Sequence, residues 1–275
     1  VSLHDPELTA KVRTGMAHLF AYRLGDVEAA RENLAAIEAL ADVMRDPHAR
    51  RAFLMLKGWF NLELLADCDA AESHFSEAKE LGRKIHDSST ITAARYGLAF
   101  CAYFRGQLTE AREEFERLAT EMNGLGFATD AVESLWMVAE CSLRLGDLPG
   151  FDRVVTAFQD ARLAEGVEAR PLHSVALRGV DRLLRGDPEG WHAAFQEALG
   201  LAGREASFPD VALLCFLYFY YAVTLRVVGE EAQAAEYMSR VNDLLRSQHL
   251  QARLQMLPKA EQELTETLRR ATSRA

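Results

Sequence analysis

The residues of this chain that could do chemistry are scattered, not gathered. Eight histidines and four cysteines are spread over 275 residues. His18 with Asp87, or His74 with Glu77, are conceivable base and acid partners, but no spacing ties them together, and they read as surface or groove residues. There is no H-E-x-x-H, no G-x-S-x-G, no glycine-rich dinucleotide turn and no G-x-x-x-x-G-K-[ST] phosphate loop. Cys68, Cys101, Cys141 and Cys215 form no C-x-x-C pair and sit inside apolar helical stretches. They read as free thiols of a reducing compartment, and the pair Cys101 and Cys141 lacks the further ligands a metal needs. No catalytic residue, metal ligand or cofactor is expected, so the expected class is non-enzymatic.

Charge and hydropathy narrow the class further. The formal charge is −10, without the basic stripe that nucleic acid demands. The longest apolar run, 211–223, is too short for a comfortable membrane span, and the start VSLHDPELTA has neither the basic nor the apolar region of a signal peptide. The expected location is the cytoplasm. The start also lacks an initiator Met, as a piece of a longer chain would. A hydrophobic fraction of 49%, seven prolines and few β-branched runs point to an all-α chain with a sizeable core.

The elements that must position any site repeat. Ile91 to Ala119 reads as two amphipathic helices joined at Arg105-Gly106-Gln107, with Ala111, Phe115 and Leu118 on the inner face of the second helix. Aligned on this turn, Gly25, Ala66, Gly106, Gly146, Gly186 and Gly229 recur at spacings of 41, 40, 40, 40 and 43 residues. Positions five, nine and twelve after each turn are apolar in every unit: Ala30, Leu34, Ile37; Ala71, Phe75, Ala78; Ala111, Phe115, Leu118; Phe151, Val155, Phe158; Trp191, Phe195, Ala198; Ala234, Met238, Val241. Asp26, Asp147 and Asp187 stand where helix N-caps are needed. The repeats run over about 8–47, 48–87, 88–127, 128–167, 168–208 and 209–249, and form one domain with a polar-backed final segment, 250–275, broken or restarted at Pro258, that caps the open end of the stack.

The segments LGDVEAARENL (24–34), RGQLTEAREEF (105–115) and VGEEAQAAEYM (228–238) resemble the tetratricopeptide repeat. Phe151 and Trp191 depart from its preferred Ala, Ala66 from its turn glycine, and the period of about 40 from its usual 34. The longer form is similar to the sensor domains of maltose-activator-type bacterial transcription regulators and related signalling ATPases. The resemblance implies a right-handed α-solenoid of six helix-turn-helix repeats plus a capping helix. It also implies a protein- or peptide-binding scaffold, the sensor or interaction module of a bacterial signalling or transcription regulator. A small-molecule sensor, for example of a sugar, is the alternative.

Carried across by register, the family's concave face is lined by the first helix of each repeat. Its candidate partner-binding residues are Tyr22, Arg23, Phe60, Glu63, Tyr96, Phe100, Tyr103, Phe104, Trp136, Glu140, Arg144 and Arg226. On this reading, removing Tyr103 or Arg144 weakens partner binding and leaves the melting temperature nearly unchanged. The run VALLCFLYFYYAVTLRVV (211–228) is apolar on every side, and is expected to be covered within the chain or by a second copy in a homodimer.

Overall fold

The computed structural model describes residues 5–41, 43–158, 164, 171–204 and 211–273, and among these there is no strand. The helices are α1 (Pro6–Leu19), α2 (Val27–Glu38), α3 (Pro47–Trp59), α4 (Cys68–Lys84), α5 (Ser88–Phe104), α6 (Leu108–Gly124) and α7 (Ala128–Leu145). They continue with α8 (Leu148–Ala157), α9 (Pro171–Leu184), α10 (Gly190–Arg204), α11 (Val211–Val227), α12 (Glu231–Ser247) and α13 (Gln251–Thr272). None is long and apolar enough to cross a membrane. The architecture is all-α, an α-solenoid-class array of helix-turn-helix repeats.

The turn register holds residue by residue. Gly25, Ala66, Gly106, Gly146, Gly186 and Gly229 all have positive φ, between 56° and 91°. This left-handed residue exposes the last carbonyls of the first helix to the amides that follow, so the chain reverses in two or three residues. Asp26, Asp67, Asp147 and Asp187, one residue on, then accept from the amides of Ala29, Ala70, Gly150 and Gly190 at 2.8 to 3.0 Å, which starts each second helix. Of the eighteen register positions, all are buried except Val155 and Phe158, which are half-buried.

The aromatic nine residues after the turn needs a notch. A Cβ on Gly58 or on Gly97 would lie 2.6 Å from the Phe75 ring, and one on Gly179 would lie 2.6 Å from the Phe195 ring. Close approach of two helices therefore rests on glycines in the first helices and rings in the second.

The chain falls into two compact units, 1–106 with 245–255, and 107–244 with 256–275, where the sequence reading treats 1–275 as one domain. In the first unit, α1 and α3 each end in a π-helical turn, Phe20–Leu24 and Phe60–Leu64. In the second, most of the described residues of α11 are covered by the chain itself: Leu217, Tyr220, Tyr221 and Val223 are at most 1% exposed. Tyr221 stacks on Phe195 with centroids 5.0 Å apart and meets Tyr237 edge-on at 4.7 Å. Leu214, Phe216 and Tyr218 of the same helix remain half-buried. α13 differs from expectation in one respect: it is continuous through Pro258, which gives up one amide donor without breaking the helix.

Two substitutions test this packing. Phe115 is fully buried, so Phe115→Ala should lower unfolding stability by about 3–5 kcal/mol in urea titration. Ala66 carries a Cβ at φ 56°, so Ala66→Gly should raise stability by about 0.5–1 kcal/mol, the relief of left-handed strain net of the glycine's unfolded-state entropy.

Candidate binding faces of the first helices

In the first unit the candidate residues form an aromatic cluster. Phe60, Phe100 and Tyr103 are buried, whereas Tyr96 and Phe104 are half-buried. Trp59, which the register analysis did not select, joins them. Its ring meets Phe75 at 5.2 Å and Phe100 at 5.5 Å, both edge-on, and Tyr96 lies 5.1 Å from Phe100. Glu63, inside the π-helical turn, receives a 2.9 Å hydrogen bond from Arg253 at the start of α13. The Arg253 guanidinium also lies 5.8 Å from the Phe104 ring centroid, a cation–π contact. A cleft of about 500 Å³ is lined by Thr14, His18, Met55, Leu56, Trp59 and Glu63. Tyr22 and Arg23 were also expected on this face, but their side chains lie outside the described residues.

In the second unit the candidates are buried, charges included. Trp136 is 2% exposed and packs edge-on against Phe216 at 5.7 Å and Tyr220 at 5.5 Å. Glu140 is 1% exposed and accepts the hydroxyl of Tyr220. The Arg144 side chain is 1% exposed, and its Nε donates to Glu263 Oε2 of α13 at 2.8 Å, while Met256 Sδ lies 3.2 Å from its Nη1. Arg226 pairs with Glu261 of α13 and, at 3.2 Å, with Glu231.

The last helix touches the sixth repeat through Arg226 and Glu231, as a cap would, and reaches the fourth repeat as well. Within the second unit it lies against α7 of the fourth repeat and α11 of the sixth, with Ala260, Leu264 and Leu268 at most 1% exposed. Its apolar stripe was legible in the sequence. Its place was not, because Arg144 and Glu263 are 119 residues apart and no local pattern joins them.

Burial pushes the Cys101 thiol up to about 12, and pushes Cys141 and Cys68 up as well, which makes them poor nucleophiles at neutral pH. The His74 imidazole is depressed, by burial first and by Lys57 second. A second cleft, of about 530 Å³, is lined by Leu148, Phe151, Leu184, Arg185 and Arg270 among others. Its Arg185 is already engaged by Asp181 at 2.8 Å and Asp152 at 2.7 Å.

No protein-family model and no curated protein matches this sequence. Among solved structures, aspartyl phosphate phosphatase F from Bacillus subtilis is similar, with a TM-score of 0.68 at 13% sequence identity. The likeness covers 88% of this chain and 61% of that one, so the chain spans about three-fifths of its neighbour's length. The fold is a tetratricopeptide-like helical repeat. At this identity the likeness is one of fold, and it agrees with the six turns and their buried register.

Burial overturns one expectation. Tyr103 is fully buried and the Arg144 side chain nearly so, so neither can be removed without consequence for stability. Tyr103→Ala should cost about 3–5 kcal/mol, as for a lost core aromatic. Arg144→Ala leaves the quarter-exposed Glu263 only the looser Lys259, 3.7 Å away, and should cost about 2 kcal/mol. Thermal denaturation of both variants checks this; unchanged melting temperatures would contradict the described burial.

Proposed function

We propose that this chain is a non-enzymatic protein-interaction scaffold, the sensor or interaction module of a bacterial signalling or transcription regulator of the kind its repeats resemble. The observation that carries the reading is that the first-helix faces already hold a helix. In each unit a part of α13 is gripped by an ion pair to a candidate residue, Glu63 in the first and Arg144 and Arg226 in the second. A face that recognises a helix by aromatic area and charges of both signs has the chemistry for helix-in-groove recognition of a partner. The neighbour from Bacillus subtilis is named as a phosphatase; at 13% identity that activity does not travel with the fold.

A second reading, a small-molecule sensor, is favoured by the cleft of about 500 Å³ beside Trp59 and Glu63, a volume suited to a metabolite. One experiment separates the two. A photoreactive phenylalanine at the half-buried position of Tyr96, and another at the exposed second-helix position of Arg117, are irradiated in the native cell extract. The scaffold reading expects one protein cross-linked through position 96 and not through 117. Cross-linking through 117 alone would overturn it. Saturable heat on titrating sugars, with no cross-linked protein, would establish the sensor reading in its place.

A further inference from the structure

In the second unit, α13 packs by one apolar stripe and is paired by charge to two other helices. At 100° per residue, Leu257, Ala260, Leu264 and Leu268 make one stripe. Glu261 lies at one edge of that stripe and Glu263 beyond the other. These two carboxylates reach in opposite directions, Glu261 to Arg226 of α11 and Glu263 to Arg144 of α7. The receiving side supplies Arg144 and Arg226, on the two helices whose Trp136 and Tyr220 pack edge-on against each other; Arg, Trp and Tyr are the residue types that dominate hot spots in protein interfaces.

The seat is also imperfect. Thr265 and Thr267 are buried beside the leucines, and among the described residues Thr265 Oγ1 finds no hydrogen-bond partner, nor does Ser142 Oγ on α7. A permanent core helix would place apolar groups there, because a buried hydroxyl without a partner is a standing penalty. The residue before Leu250, His249, is a non-glycine at φ 54°, a strained joint at the point where the chain leaves α12 for α13.

We propose that residues 256–272 are a removable occupant, and that the α7–α11 surface beneath them is the docking site of a partner's amphipathic helix. That helix carries a Leu/Ala stripe flanked by one carboxylate on each edge, to meet Arg144 and Arg226. It displaces α13, so partner binding is set by competition with the chain's own last helix. This deepens the scaffold reading and rests on it, but it concerns the second unit, whereas the cross-linking at position 96 interrogates the first.

The unmodified full chain tests it by amide hydrogen exchange followed by mass spectrometry. An isotopically heavy synthetic peptide of sequence 251–272 serves as the probe, in molar excess. Without peptide, amides of 260–272 should exchange through local opening, about ten-fold or more faster than those of 137–145 and 217–225. With peptide, exchange in the attached α13 should rise several-fold while α7 and α11 stay protected. A peptide carrying Glu261→Arg and Glu263→Arg should have no effect. If α13 exchanges no faster than α7 and α11 and the peptide changes nothing, the helix is a fixed part of the core and the proposal falls. If the charge-reversed peptide displaces α13 equally well, the stated partner chemistry falls. Either failure, alongside a partner cross-linked through position 96, would leave the scaffold reading standing and remove only the competition.

Discussion

A guanidinium cannot lie under protein without an anion beside it, and Arg144 lies under protein. Its side chain is 1% exposed, at the end of a helix whose other inward groups, Trp136 and Glu140, are equally covered. The cost of burying such a charge unpaired is several kcal/mol, more than any single apolar contact nearby returns. The carboxylate that answers it comes from Glu263, far along the chain, so the charge on the fourth repeat dictates where the last helix goes. Arg226 repeats the arrangement with Glu261, and Glu63 mirrors it with the signs reversed toward Arg253.

Beneath that lies a simpler constraint, the left-handed residue that ends each first helix. Because it reverses the chain at a fixed point, the residues five, nine and twelve positions on turn inward in repeat after repeat, with Val155 and Phe158 only half-buried. Small residues there let helices approach, and an aromatic at the second position fills a notch left by a glycine in a first helix, as Phe75 does at Gly58 and Gly97. Repetition of one local rule thus builds a wall of paired helices.

Most of this wall was legible in the sequence, because it is local. The six turn residues, including the non-glycine Ala66, have positive φ as the register required. The two positions that are only half-buried, Val155 and Phe158, belong to the repeat whose second position is Phe151 instead of Ala. The glycine notches were visible as letters but not as partners, since each pairs with a ring in another helix. The destination of α13 was not legible at all. Periodicity tells which face of a helix is apolar; it does not tell what covers that face. The same gap explains why the burial of Tyr103, Trp136 and Arg144 was not foreseen: neighbours within the fold cover them. Pro258 shows the opposite error, a helix breaker read locally that tertiary packing overrides.

The most direct measurement is a double-mutant cycle across Arg144 and Glu263, with Arg144→Glu, Glu263→Arg and the double exchange compared by urea denaturation. If the charge on α7 holds α13 in place, the two reversals should each destabilise, and the double exchange should recover at least about 1.5 kcal/mol of their summed loss. Additivity of the two single changes to within about 0.5 kcal/mol would mean that the groups do not interact, and that the last helix is held against α7 by something other than this pair.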